Sequence, residues 1–257
     1  MLTIMKTAAS GMLAQKFSLE VVANNIANMS TTAFKKSRAV FASAPYRLTT
    51  EPVLDSGEPA AVFRTGTGVR LLADQRLFFQ GTLLETGNPW DLAIAGDGFF
   101  QVSMPDGTKA YTRDGSFQTD GQGRVVTVEG LLLDPPVTVP EGAEEVAIEE
   151  NGLVTALVGG ERVQLGTIAV STFPNPEGLL SIGHNLYIPS EASGAAQVGP
   201  LGVDGRGQIV SGALESSNVD LAEEMTRAIE AQRAYQLNVK ALQTADEMLA
   251  MANNLRK

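Results

Sequence analysis

The chain has 257 residues, 44% of them apolar, a net charge of −10, no cysteine and a single histidine. No run approaches the 18 or so apolar residues of a membrane-spanning helix, so membrane insertion is not expected. Disulfides and thiol catalysis are excluded, as is a His-rich metal site. Residues 1–50 carry six basic groups and one acid, so +5 there leaves −15 on the remaining 207. That balance argues against nucleic acid as the main partner.

Met1 to Ser10 holds one Lys and no apolar core, so a Sec signal peptide is not expected. Residues 3–28 are predicted as a helix, in which Met5, Ala8, Met12, Gln15, Leu19, Val22 and Ile26 step alternately by three and four. Such a row is a narrow coiled-coil seam rather than the broad face of a helix on a globular domain. Gly11 is a mild weakness in it. Asn28-Met29-Ser30-Thr31-Thr32 is turn chemistry. Phe34 to Phe41 reads as an extended segment or short helix carrying Lys35, Lys36 and Arg38, a basic cluster expected on a solvated surface or against acids of a neighbouring subunit. Residues 42–65, with Pro45, Pro52, Gly57 and Pro59, show no period and form an extended linking segment, long enough to have a job of its own.

Between Gly66 and Gly212 short apolar or alternating runs are separated by turns such as Pro105-Asp106-Gly107, Asp120-Gly121 and Gly159-Gly160. This spacing predicts a central all-β antiparallel domain with irregular barrel or sandwich character. Strands are expected at 69–72, 77–79, 91–94, 99–102, 109–112, 116–119, 124–128, 145–148, 153–158, 162–165 and 167–172. Residues 191–207 are expected to be loop.

From Asn218 to Asn254 there is neither Pro nor Gly. Asn218 is placed as N-cap, with Asp220, Glu223 and Glu224 in the first turns, where the helix dipole favours acids. The helix would be roughly 55 Å long at 1.5 Å per residue. Its expected seam is Leu221, Met225, Ala228, Gln232, Tyr235, Val239, Leu242, Asp246, Leu249 and Asn253, in which Gln232 and Asp246 would set register. Two seams at opposite ends of one chain imply that the ends meet. The resulting α+β organisation has 1–41 and 213–257 as a terminal helical assembly domain, 42–65 as the link and 66–212 as the β domain.

Catalytic and binding motifs give nothing. His184 has no Gly-x-Ser-x-Gly elbow to accompany it. Gly66-Thr67-Gly68 lacks the third Gly of a dinucleotide fingerprint and reads as a turn or bulge before a strand. Asp97, Asp114 and Asp120, each next to Gly, lack EF-hand spacing and read as turn residues. Glu144-Glu145 and Glu149-Glu150 read as surface charge rather than a glycosidase pair. No active site and no cofactor are expected.

The stretch Ala23-Asn24-Asn25-Ile26-Ala27-Asn28-Met29-Ser30-Thr31-Thr32-Ala33-Phe34-Lys35 resembles the signature of the flagellar axial rod and hook proteins. Gly66-Thr67-Gly68-Val69, Gln80-Gly81, Gly98-Phe99-Phe100-Gln101-Val102 and Tyr111 to Phe117 are similar to further motifs of that family. So are Ser217-Asn218-Val219-Asp220 and Gln232-Arg233-Ala234-Tyr235. Asn24, Asn25, Asn28, Phe34, Asn218, Gln232 and Arg233 are the motif positions carried over, the asparagines either as helix-end caps or as subunit contacts. Ala33 stands where the family often has Gly. Length and the segment between Phe41 and Gly66 resemble the distal rod branch most and the proximal branch second. The resemblance implies a non-enzymatic subunit that polymerises helically into a hollow drive shaft from motor to hook. It also implies other rod proteins, the hook protein, rod-surrounding ring proteins and the flagellar type III export apparatus as partners. A different class, a secreted enzyme or carbohydrate-binding β domain on a coiled-coil stalk, is the rival.

Overall fold

The computed structural model describes residues 2–50, 62–199, 201–203 and 205–254. They form two compact units. One contains Met1–Ala27, Ser37–Arg76 and Asp220–Lys257, the other Asn28–Lys36 and Leu77–Val219. Residues 66–76 are thus grouped with the terminal helices, and 28–36 with the β-rich unit.

In the helical unit, α1 (Leu2–Ala27) packs along α2 (Leu221–Asn254). The helix begins three residues after Asn218, and its cap is Asp220, whose Oδ1 accepts from the N–H groups of Ala222 (2.8 Å) and Glu223 (3.3 Å). β1 (Ser37–Ser43) pairs antiparallel with β4 (Val69–Arg76), with a bulge between Val40 and Phe41. β2 (Arg47–Thr50) pairs with β3 (Val62–Thr65) in the same sense. The described part of the 42–65 segment is therefore hydrogen-bonded ribbon rather than bare linker, while 51–61 lie outside the described residues. Gly68, ahead of β4, has φ +113°, and a Cβ there would stand 2.0 Å from Ser10 Oγ, which accepts from the Val69 N–H. Only glycine fits so close an approach in that conformation.

The buried side of α1 is broader than a seam: Ala8, Ala14, Val21, Val22 and Asn25 are all buried. The reason is that α1 has two partners, α2 and the β1–β4 ribbon, so it takes the wide face of a globular-domain helix.

Among its described residues the second unit has the strands β5 (Leu83–Glu85), β6 (Leu92–Ala95), β7 (Phe99–Ser103), β8 (Lys109–Thr112), β9 (Phe117–Thr119), β10 (Val125–Thr127), β11 (Leu132–Leu133), β12 (Ala143–Ile148), β13 (Leu153–Val158), β14 (Glu161–Thr167), β15 (Val170–Thr172), β16 (Leu180–Gly183), β17 (Leu186–Ile188), β18 (Gln197–Gly199), β19 (Gln208–Ser211) and β20 (Ala213–Glu215). The largest sheet runs β16-β17-β8-β7-β11-β10-β9, with β15 joining β7 to β18. β12-β13-β14 form a three-stranded sheet, and β19–β6 and β20–β5 are two-stranded. The expected barrel or sandwich is not formed, since no sheet among the described residues closes into a barrel or builds a sandwich. Strands of two to seven residues in several small ladders are too short for such closure. Residues 77–79, expected as strand, are irregular, and β18 lies in the segment expected to be loop.

Turn chemistry explains the hairpins. Gly159 and Gly160 have φ of 59° and 86° between the paired ends Val158 and Glu161, the signs a two-residue hairpin requires. The main core gathers Leu92, Ile94, Phe100, Phe117, Leu133 and Ile168, each burying about 1.5–3 kcal/mol of transfer free energy. Phe100 and Phe117 meet edge to face at 5.2 Å.

Candidate assembly faces and a buried ion cluster

The two terminal helices are antiparallel. Asn25 Nδ2 donates to Glu224 Oε2 at 3.1 Å, and a Cβ on Gly11 would stand 2.9 Å from the Asn238 amide. Going from 25 down to 11 on α1 thus matches going from 224 up to 238 on α2. The absence of a side chain at Gly11 makes room for Asn238.

Asn25 is fully buried and organises this end of the pair. Its Nδ2 also donates to Ser37 O (2.9 Å), and its Oδ1 accepts from the Ser37 N–H (2.9 Å), so one amide joins α1, β1 and α2. Glu224, also buried, has Arg227 Nη1 at 3.4 Å. Of the other motif asparagines, Asn24 is exposed and Asn28 finishes α1, with its carbonyl and Oδ1 accepting from Thr31. Neither the capping role nor the intersubunit role weighed for the asparagines describes Asn25, which is an intrachain staple.

The α1 positions of the expected seam all turn inward: Ala8 and Val22 are buried, and Met5, Met12, Gln15, Leu19 and Ile26 half-buried. On α2 the inward row is different. Glu224, Ala231 and Ala245 are buried, and Ala234 and Asn238 half-buried. That row is one residue, about 100° of helix rotation, from the expected one. Ala228, Val239 and Leu242 are half-buried at its margin, while Leu221, Met225, Gln232, Tyr235, Asp246 and Leu249 are exposed. A small-residue row lets α1 approach closely. It also leaves apolar side chains outside: Ile229 is 49% exposed and Leu237 69%, alongside Met225, Met248 and Met251. Arg233 is exposed as well.

The β-rich unit contains a feature that the sequence did not announce. Lys35 and Glu215 are each fully buried and Arg113 is 3% exposed. Lys35 Nζ lies 2.5 Å from Glu215 Oε1 and donates to Phe79 O at 2.7 Å. Arg113 Nη1 reaches Glu215 Oε2 at 3.2 Å, its Nη2 donates to Gly96 O at 2.7 Å, and its guanidinium lies 5.6 Å from the Phe99 ring centre. The Gly81 N–H donates to Glu215 Oε1 at 2.7 Å. Two cations thus share one carboxylate. Burial pushes the Lys35 amine below its ordinary value, Glu215 pulls it back up, and Arg113 lowers it again.

The basic cluster placed on the surface from sequence is therefore divided. Lys35 is core and meets an acid of its own chain; Lys36 is half-buried; Arg38 is exposed and donates to Gln75. A Lys beside Phe34 gives no sign of its partner when that partner is 180 residues away. Asn218, released from capping, accepts from the Lys36 N–H (2.7 Å) and donates to Leu77 O and Phe79 O. Phe34 is buried, and its carbonyl accepts from the Asn218 N–H. The motifs around Lys35, Gly81, Arg113 and Asn218, scattered along the sequence, meet here.

Asp114 and Asp120 serve turns, while Asp97 is exposed and takes part in a bridge with Arg206 through its backbone. Asp114 Oδ1 accepts from Ser116, and Asp120 Oδ1 from Gln122 and Arg124. His184 is exposed on a left-handed turn beside Glu129.

Three family models match segments in chain order. Residues 5–35 match a flagella basal body rod protein model, 93–156 the D1 domain of flagellar hook protein FlgE/F/G, and 210–255 the C-terminal region of flagellar basal body rod FlgEFG proteins. The flagellar basal-body rod protein FlgG of Borreliella burgdorferi is 42% identical, with both chains covered completely. FlgG of Caulobacter vibrioides is 40% identical over 98% of each chain, and FlgG of Bacillus subtilis 36% over the whole of both. The chain belongs to the FlgG family of flagellar basal-body rod proteins. This is the distal rod branch that the linking segment resembled, and it makes the chain a structural subunit of the flagellar basal body rather than an enzyme. No helix among the described residues is long and apolar enough to cross a membrane.

Proposed function

We propose that the chain polymerises helically into the hollow distal rod through its terminal helices, and that the outward face of α2 is the contact between subunits. The observation that carries this reading is the set of exposed apolar side chains on α2, among them Leu221, Met225, Ile229, Leu237 and Met251, opposite or beside the row that faces α1. An apolar face of that extent, on a helix already satisfied by its intrachain partner, marks an interaction surface. α2 has 34 residues against the 26 of α1, so its C-terminal end, with Met248, Leu249 and Met251, runs on beyond the paired length. A head-to-tail contact of unlike surfaces does not close, and repeats into a helical filament.

In this reading the helical unit is the assembly domain, with 66–76 belonging to it, while 28–36 and 213–219 of the terminal segments belong to the β-rich unit. Tyr235 and Leu249 of the expected seam then serve between subunits, while Val22 and Ala8 serve within one. Torque passes through many packed interfaces and needs no chemistry. Other rod proteins, the hook protein, the surrounding rings and the flagellar export apparatus are the remaining partners.

The test is Ile229→Asp. Electron microscopy and sedimentation of the full chain should show filaments that the variant fails to form, with the thermal unfolding of the β-rich unit unchanged. Filaments of normal yield from Ile229→Asp would overturn the assignment of this face.

A further inference from the structure

We propose that the three exposed methionines of α2 form a reversible oxidation site that blocks assembly while the subunit is still free. The proposal deepens the reading of the outward α2 face as the subunit contact, and rests on it. The chain has eight methionines and no cysteine, so its thioethers are the groups that a peroxide oxidises first. Their exposure is uneven. Met225 is 53% exposed, Met248 45% and Met251 59%, all on α2, and elsewhere among the described residues only Met29, at 39%, is exposed. Met5 and Met12 are half-buried on the inward side of α1, and Met104 is half-buried against a satellite core of Val102, Ala110 and Leu186. Met225 stands in the second turn of α2 and Met248 in its last turns, roughly 35 Å away at 1.5 Å per residue. Oxidation therefore reaches both ends of the face.

The step needs one equivalent of peroxide and no catalyst. The sulfur gives an electron pair to a peroxide oxygen, an S–O bond forms as the O–O bond breaks, and the other oxygen leaves as water. The thioether is oxidised by two electrons and the peroxide is reduced. On the free subunit water solvates the new sulfoxide oxygen, so the fold is unaffected. An apolar contact between subunits strips that water and leaves a polar acceptor without a donor, which opposes association. Methionine-rich interfaces are sensitive to this change for that reason. In the filament the same contact covers the sulfur and keeps peroxide out, so the switch acts on free subunits and spares built rod. Methionine sulfoxide reductases A and B, one for each sulfoxide epimer, restore the thioether.

The test treats the dilute full-length chain with hydrogen peroxide, maps the added oxygen by peptide mass spectrometry, and then concentrates the chain for sedimentation and electron microscopy. Met251 and Met225 should oxidise first and Met248 next, well ahead of Met5 and Met12. The critical concentration for filaments should rise at least about tenfold, or about 1.4 kcal/mol, and fall back after treatment with both reductases. Each variant is compared with its own untreated form. The triple variant Met225→Leu, Met248→Leu, Met251→Leu keeps apolar side chains of similar volume and should lose the sensitivity to peroxide, whereas Met29→Leu should keep it. Oxidation of Met251 no faster than Met12 would overturn the proposal, as would inhibition that persists in the triple variant. Wild type that carries all three sulfoxides and polymerises normally would overturn it too, and would leave the α2 contact standing, since that contact is judged separately by Ile229→Asp.

Discussion

Replacing Glu215 by Gln keeps the shape of the side chain and an acceptor for the Gly81 N–H, but removes the negative charge between Lys35 and Arg113. Two cations would then share a site from which water is excluded. Breaking a buried pair by deleting one partner typically costs about 3–5 kcal/mol. An independent scale comes from Lys35, which can relieve its part of the penalty by losing its proton. At about 1.36 kcal/mol for each unit between pH 7 and the ordinary lysine value of 10.5, that escape costs about 5 kcal/mol, which is the same scale. For a domain of this size the shift in Tm is roughly 2–4 °C per kcal/mol, or about 10 °C in all. The assay is thermal and urea unfolding followed by the fluorescence of Trp90, the single tryptophan, which packs against the main core. The defect should shrink as the pH approaches 10.5, where Lys35 is neutral at little cost. The double variant Lys35→Met, Glu215→Gln should be more stable than Glu215→Gln alone. A Glu215→Gln loss below about 1 kcal/mol at neutral pH would refute the claim that the carboxylate holds two desolvated charges.

Because the folded-state pKa of Lys35 is lowered, the unfolded chain binds more protons between that value and 10.5, so stability from this group rises with pH across the window; denaturation midpoints of wild type should climb there relative to Lys35→Met, and parallel profiles would contradict the burial argument. Asn25→Ala leaves the Ser37 backbone groups and Glu224 without their partner and should cost about 2–4 kcal/mol, seen as earlier loss of helical circular dichroism; a neutral substitution would mean that the amide is not the staple. Ala33 is buried with φ 53°, a conformation costing an alanine roughly 1–2 kcal/mol. Ala33→Gly trades that strain against a buried methyl and added chain entropy, so its unfolding free energy should stay within about 1 kcal/mol of wild type, whereas Ala33→Val should fall well below it. Equal stability of the Val and Gly variants would show that the backbone there relaxes.

Local signals carried much of the architecture. Heptad-like rows and the lack of Pro and Gly located both terminal helices to within a few residues, because helix formation responds to near neighbours. Asp-Gly and Gly-Gly turns located most hairpins, because a left-handed backbone admits few residue types. The cap of α2 was misplaced because Asn218 and Asp220 are equally able caps in sequence, and the tertiary hydrogen bonds of Asn218 to Lys36, Leu77 and Phe79 removed it from the choice. The seam of α2 was displaced by one residue for a related reason. Ala231 and Ala245 let α1 come close, and a hydropathy pattern weights Met225 and Tyr235 above them although both are exposed.

From the sequence alone the chain could be recognised as an all-intracatenary pairing of its two ends with a β-rich middle, and as a member of a rod family, since periodicity, turn residues and motif order are properties of short stretches. Which lysine is buried, which carboxylate it meets, and which face of α2 remains free were decided by tertiary structure. Those outcomes depend on groups far apart in the chain. Lys35 and Glu215 meet across 180 residues, and Asn25 and Glu224 across 199, and burial and pairing energies exist only once such groups are brought together.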